Sequence, residues 1–137
     1  MPNVVDRITH DHREVEDLFA KFASTHDASV AQQICEELDR HADAEEKVVY
    51  PAFAEEVPGA KSLVDEGADE HAEARQLIGR IRQTKDPDHL DELVQELQAA
   101  IEHHVQEEEH ELLPKASAAL DPARLDELGE EFDAAKP

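Results

Sequence analysis

The same pattern of metal-binding residue types occurs twice in this sequence. The segment 41–51 reads HADAEEKVVYP and the segment 104–114 reads HVQEEEHELLP, so both fit HxxxEExxxxP. Residues four positions apart on an α-helix are separated by about 40° of rotation, so the His and the first Glu of each segment can converge on one ion. The repeat therefore predicts two pairs of metal ligands. They are His41 with Glu45 and His104 with Glu108.

HxxxE spacing alone is weak evidence in so acidic a chain, because it also begins at His10, His12 and His103. The apolar periodicity separates these candidates. Both repeat pairs continue the apolar stripe of their helix, whereas His103 is in phase with the polar residue Glu96. This phase favours His104 over His103 as a ligand.

Two further histidines occupy positions in apolar stripes. His12 interrupts a stripe that runs from Val5 to Phe22, and His71 interrupts one from Val64 to Ile81. A single such histidine is more often a satisfied core residue, but six inward polar groups without partners would cost several kcal/mol per ion. Metal coordination removes that cost. The other histidines, and most acidic residues beside the repeats, are predicted to lie at the surface, with Glu46 and Glu109 as candidate outer hydrogen-bond partners.

Four apolar stripes of helical period, separated by short breaks, predict the fold. We expect an all-α, antiparallel up-down-up-down four-helix bundle over about residues 4–118, with a short amphipathic helix over about 122–135. The whole chain, residues 1–137, is predicted to be one domain. Aromatic residues make up 4% of the sequence and there is no Trp, which is consistent with a helix-rich chain.

Charge and cysteine content limit the partners. Asp and Glu number 35 against 13 Lys and Arg, and the net charge of −22 disfavours binding to nucleic acid or to anionic membranes. The single cysteine, Cys35, cannot form an internal disulfide, and the first residues lack the apolar run of a signal peptide. A cytoplasmic location is the expectation.

The ligand types indicate which metal would bind. Imidazole and carboxylate suit iron, manganese or zinc, and two bridging carboxylates flanked by histidines suit two ions a few Å apart. Iron is the favoured metal. The ferritin-like di-iron proteins are the nearest alternative, but they would need two ExxH pairs, and the chain has one, Glu107 with His110.

Four segments resemble the hemerythrin-like, or HHE cation-binding, family over about residues 4–120. They are HDHREVEDLF at 10–19, the two repeats, and DEHAEARQLI around His71. The resemblance implies a hemerythrin-like bundle holding two non-haem iron ions joined by an oxo or hydroxo bridge. The ligands it implies are His12, His41, Glu45, His71, His104 and Glu108.

The sequence also departs from the oxygen-carrying hemerythrins that this family includes. Arg75 stands where those carriers have a second third-helix histidine, and Glu108 lies four residues after its His where they use an Asp at five. Both departures disfavour oxygen carriage. Tyr50 is a candidate replacement ligand, because Pro51 can bend the helix and turn the phenol inward. Plain packing is the alternative role for Tyr50.

Three function classes follow from this resemblance. The favoured one is a redox role toward hydrogen peroxide or related small oxidants, as in a catalase-like enzyme. The alternative is a module that reversibly binds O2 or NO, or that senses iron or oxygen. A third is iron storage. All three take small molecules or ions as partners, and the sequence names no protein partner.

Overall fold

The computed structural model describes residues 3–136, and every regular element in that range is helical. The α-helices are α1 (Val4–Thr25), α2 (Ala28–Ala44), α3 (Tyr50–Glu56), α4 (Lys61–Gln83), α5 (Pro87–Glu107), α6 (Leu113–Ala119) and α7 (Pro122–Ala135). This confirms the predicted all-α bundle. The ends of the predicted domain, residues 1, 2 and 137, lie outside the described residues.

Side-chain caps fix where several helices begin. Asn3 accepts a hydrogen bond from the Val5 backbone N–H at the start of α1, and Asp27 and Asp86 cap α2 and α5 in the same way. Each cap satisfies a backbone donor that the first helical turn leaves without a partner. These polar residues therefore divide the four stripes into separate helices joined by short loops.

Two π-helical segments interrupt the second and fourth bundle helices inside the sequence repeats. Glu45–Val49 joins α2 to α3, and Glu108–Leu112 joins α5 to α6. The first segment is followed by Tyr50 and Pro51, and the second by Leu113 and Pro114. Proline has no N–H to donate and would crowd the carbonyl four residues earlier in a regular α-helix, so a wider turn accommodates it. The local distortion expected at Pro51 is thus a π turn.

The core consists of two apolar clusters with a polar layer between them. One cluster contains Ile8, Phe53 and Leu128, and the other contains Phe19 and Ile34. The polar layer holds the predicted ligands. Because both neighbouring clusters are close-packed side chains, they separate this layer from bulk water on two sides.

The C-terminal helix α7 packs beside α1 and the first π segment. Its apolar residues Leu125, Leu128 and Phe132 are buried, as its amphipathic sequence predicts. The Phe132 ring lies edge-on to His41, with 5.6 Å between the ring centroids. The predicted tail therefore covers one side of the polar layer. Within residues 3–136, no helix has the length and apolar character needed to cross a bilayer.

Candidate metal centre

The structure brings all six predicted histidine and glutamate ligands together in the bundle interior. Each of them is at most 6% exposed. Their ligand atoms form two groups of three, and the atoms within each group lie within 4.8 Å of one another. The first group is His12, His41 and Glu108, and the second is Glu45, His71 and His104. Each group thus combines side chains from three different bundle helices.

Glu45 and Glu108 each belong to one group and also contact a histidine of the other group. Glu45 Oε1 is 3.1 Å from His41 Nε2 in the first group and 3.2 Å from His71 Nε2 in the second. Glu108 reaches across in the same way, with Oε1 at 3.1 Å from His12 Nε2 and Oε2 at 3.2 Å from His104 Nε2. A carboxylate placed between two sets of histidines is suited to bridge two cations.

Each of the four histidines directs its Nδ1 atom to a carboxylate outside the two groups. These contacts are His12 to Glu109 at 2.6 Å, His41 to Asp11 at 2.8 Å, His71 to Glu46 at 2.7 Å and His104 to Glu70 at 2.8 Å. Such a contact holds a proton on Nδ1 and directs Nε2, the atom that can bind a metal ion, inward. We call Asp11, Glu46, Glu70 and Glu109 the outer carboxylates.

Basic side chains neutralise three of the outer carboxylates. Arg75 Nη1 lies 2.9 Å from Glu46, Lys136 Nζ lies 2.9 Å from Asp11, and Arg13 pairs with Glu109. Arg75 also contacts Asp43 at 2.9 Å. Arg75 stands where the oxygen carriers of the family have a second histidine on the third helix. It therefore orients the Glu46 carboxylate, which in turn orients His71.

The buried polar atoms of the two groups show that these residues fit a metal. Although several of them lie close to one another, six buried atoms make no contact of hydrogen-bond geometry: His12 Nε2, His41 Nε2, His104 Nε2, both Glu45 oxygens and Glu108 Oε1. Each buried polar group without a partner costs about 1–3 kcal/mol. All of these atoms are metal-ligand types and face the same interior space, so a bound cation would satisfy them together.

The electrostatics of the metal-free protein are dominated by these contacts. Burial lowers the pKa of His41, but the Glu45 carboxylate and Asp11 outweigh burial and raise that pKa to about 10. Burial raises the pKa of Glu45, and the neighbouring histidines, His41 first, outweigh burial and hold it well below its usual value. Protons and cations therefore compete for these groups, and metal binding is expected to release protons.

Tyr50 points into the centre beside the second group. Its hydroxyl donates a hydrogen bond of 2.8 Å to Glu108 Oε2 and lies 3.5 Å from His71 Nε2, and its ring stacks on the His71 ring. Burial and the two glutamates raise the pKa of Tyr50 far above its usual value. The phenol is therefore protonated in the metal-free protein.

The π turn explains the orientation of Tyr50. Tyr50 follows Glu45 by five residues, which would place the two side chains about 140° apart around a regular α-helix. In the π segment the Tyr50 N–H instead bonds to the Glu45 carbonyl five residues back, and the two side chains share a face. The equivalent residue of the other repeat is Leu113, so the centre has a phenol on one side only.

Sequence reasoning missed two of the outer carboxylates. Glu46 and Glu109 were candidate partners, but Asp11 and Glu70 were not recognised. A signal was present, because each directly precedes one of the lone histidines, in the pairs Asp11-His12 and Glu70-His71. Each of these acids contacts a histidine of another helix, so the sequence position gives no hint of its partner.

A small cavity adjoins the centre on the side away from Tyr50. Its volume is about 30 Å³, and His12, His41, His71 and His104 line one end. The charged residues Asp11, Asp39 and Arg75 also line the cavity. The rest of the wall is apolar and is formed by Val15, Leu38, Ala42, Ala74, Ile78, Ile101 and Val105. A cavity of this size holds a water molecule or a ligand of similar dimensions.

Two curated proteins are similar to this chain. An uncharacterized hemerythrin-like protein of Schizosaccharomyces pombe is 27% identical over 83% of the chain and 59% of that protein. A DNA nickase of Nostoc is 30% identical over 98% of the chain and 39% of that protein. The chain thus spans about three fifths and two fifths of these relatives. No solved structure matches significantly.

The family model for the hemerythrin HHE cation binding domain matches residues 3–116. The matched range contains the first three bundle helices, the fourth as far as residue 116, and every residue of the two buried groups. The chain therefore belongs to the hemerythrin HHE cation-binding family.

Proposed function

We propose that this protein holds two non-haem iron ions and reacts with hydrogen peroxide or a related small oxidant in a catalase-like manner. The observation that carries the proposal is the pair of buried ligand groups that share two carboxylates. One ion would be held by His12, His41 and Glu108, and the other by Glu45, His71, His104 and Tyr50. A pair of non-haem irons supplies one-electron redox steps when bound.

The residues around the centre support a reaction with a small neutral oxidant. The cavity of about 30 Å³ admits a molecule little larger than water. Its largely apolar wall, which includes Ile78 and Ile101, disfavours charged solutes. Disproportionation converts two molecules of hydrogen peroxide into two of water and one of dioxygen, so no external reductant is required.

Tyr50 favours turnover over oxygen carriage. Its phenol lies between His71 and Glu108 and occupies space beside the second group. A phenolate ligand favours ferric iron over ferrous iron. Reversible oxygen binding needs a stable ferrous state, so a tyrosine ligand would favour peroxide chemistry.

Reversible binding of O2 or NO, or sensing of iron or oxygen, is the second candidate function. The apolar wall of the cavity favours it, because neutral diatomic molecules partition into apolar sites.

The nicking activity named for the Nostoc relative belongs to that protein. The net charge of −22 gives this chain no electrostatic affinity for DNA.

The test begins with expression in iron-supplemented medium and elemental analysis of the purified protein. The visible spectrum is recorded after reduction, after exposure to O2 and after addition of peroxide, while an electrode follows dissolved oxygen. Two irons per chain, a tyrosinate-to-iron band and oxygen evolution above that of an equal concentration of free iron support the catalase-like function. A reversible oxygenated band without oxygen evolution supports the second candidate. Absence of iron contradicts both.

A further inference from the structure

A third group of metal-ligand atoms lies at the surface beside the buried centre. His103 Nε2 is 3.3 Å from Glu70 Oε2 and 3.1 Å from Glu107 Oε1. All three side chains offer ligand atoms within 4.8 Å of one another. The His103 side chain is 66% exposed, whereas the Glu70 side chain is 15% exposed. The group therefore reaches from solvent to the edge of the bundle interior.

Glu70 connects this surface group directly to the buried centre. Its Oε2 atom faces His103, and its Oε1 atom contacts His104 Nδ1 at 2.8 Å. The two adjacent histidines therefore share one carboxylate. One of them faces solvent and the other faces the interior.

Glu70 also differs from the other outer carboxylates in its charge balance. Glu46, Glu109 and Asp11 each contact an Arg or a Lys. Among residues 3–136, no Arg or Lys lies within ion-pairing distance of Glu70, which instead faces a second carboxylate, Glu107. Two adjacent carboxylates without an Arg or Lys partner form a place where a cation is favoured.

A small cavity leads inward from this place. Its volume is about 10 Å³, and it is lined by Glu70 and Glu107 toward the surface and by Tyr50, His104 and Glu108 toward the centre. His104 is 5% exposed and its Nε2 atom has no hydrogen-bond partner. The inner end of the cavity therefore contains a buried imidazole nitrogen that lacks a partner and can receive a cation.

We propose that Glu70, His103 and Glu107 form an outer divalent-cation site that captures a metal ion from solvent and transfers it to the buried centre. The proposal rests on the proposed function, because it requires that the centre takes up metal ions. The other three outer carboxylates are blocked by Arg13, Arg75 and Lys136. The Glu70 side therefore offers the entry with the least positive charge in the path of a cation.

The test uses the full chain with His103 and Glu107 both changed, in the variant H103A/E107Q. Glu70 is left intact because it orients His104. The metal-free protein is mixed with Co²⁺ in a stopped-flow instrument, and the visible absorption of bound cobalt reports uptake. We expect uptake to be slower by about tenfold, which is the low end of the effect of electrostatic capture on association rates. The final absorbance should equal that of the wild type, because the buried ligands are unchanged.

His10 and Glu14 provide a matched control. They form an exposed i, i+4 pair with 2.8 Å between His10 Nε2 and Glu14 Oε1, and no ligand group includes them among the described residues. The variant H10A/E14Q makes the same chemical changes and should load at the wild-type rate. Wild-type kinetics in H103A/E107Q, or equal slowing in both variants, would overturn the outer site and leave the buried centre intact. A wild-type protein that binds no cobalt and no iron would overturn both proposals.

Discussion

The hydroxyl of Tyr50 donates a 2.8 Å hydrogen bond to Glu108 Oε2, although the two residues belong to different bundle helices. The bond places a phenol at the second ligand group and connects the two sequence repeats across the centre. If Tyr50 binds iron, the substitution Tyr50→Phe should abolish the tyrosinate-to-iron band of the ferric protein. Phe fills the same space apart from the hydroxyl, so the helical far-ultraviolet spectrum should not change. A band that persists in the variant would assign Tyr50 to packing alone.

Gly67 on α4 leaves the space that Tyr50 occupies. A Cβ atom added at Gly67 would lie 2.5 Å from Tyr50 Oη and 3.0 Å from Cζ, so Gly67→Ala should displace the ring. We expect a loss of stability of about 1–3 kcal/mol, which is typical of overpacking. Denaturant unfolding measures this loss, and the tyrosinate band should shift in the iron-loaded variant.

Gly79 on the same helix is the control for Gly67. A Cβ added there meets nothing within 4 Å. Gly79→Ala should therefore stabilise the protein by about 0.5–1 kcal/mol through reduced backbone entropy in the unfolded chain. Adding Tyr50→Phe to Gly67→Ala should recover part of the lost stability. Equal stability changes in the two alanine variants would show that Tyr50 does not fill the space beside Gly67.

His41 and His104 belong to different ligand groups, and each should be needed for metal binding. We expect His41→Ala and His104→Ala to lose metal and the thermal stabilisation that metal provides. A ligand present at a thousandfold its Kd stabilises a folded protein by about 4 kcal/mol, so the change in Tm should be readily measured. Scanning calorimetry with and without metal, together with elemental analysis, tests this. The exposed His89 is the control, and full metal occupancy in either ligand variant contradicts the assignment.

Asp11 should set the metal affinity through His41. Asp11→Asn removes the charge that holds the His41 proton on Nδ1 and that also pairs with Lys136. Loss of such an outer partner typically weakens metal binding about 10–100-fold. Competition with a chelator of known affinity measures the change. Asp65→Asn, at an exposed carboxylate that pairs with Lys61, should leave the affinity unchanged. A wild-type affinity in Asp11→Asn would show that this contact is dispensable.

Cys35 should be unreactive in the folded protein and should reduce stability at high pH. Its side chain is buried, and burial raises the pKa of the thiol to about 11 from an ordinary value of 9.0. Because the folded-state pKa is the higher one, stability is unaffected below about pH 9 and falls as the pH rises through about 11. The burial is tested by measuring the rate at which a thiol reagent labels Cys35 at pH 8 in the native protein and in the protein unfolded by denaturant. Rapid labelling of the native protein would contradict the burial of Cys35. The substitution Cys35→Ala should reduce the loss of stability at alkaline pH.

The periodicity of the sequence was sufficient to predict the bundle and the residues that meet inside it. Helical phase determines which side chains face the core, and His12, His41, Glu45, His71, His104 and Glu108 all interrupt apolar stripes. The choice of His104 over His103 agrees with their burial, because phase alone separates two adjacent residues by about 100°. The short breaks between stripes were likewise sufficient to place α1, α4 and α7 within a few residues.

Other features of the centre were decided by the tertiary structure. Asp11 and Glu70 contact histidines of other helices, and the rotation of one helix against its neighbour determines those contacts. The orientation of Tyr50 depends on a π turn and on the absence of a side chain at Gly67. The sequence by itself determined which groups are buried, because burial follows from local periodicity. The partner of each group required the folded chain, since contacts between helices depend on how their surfaces pack together.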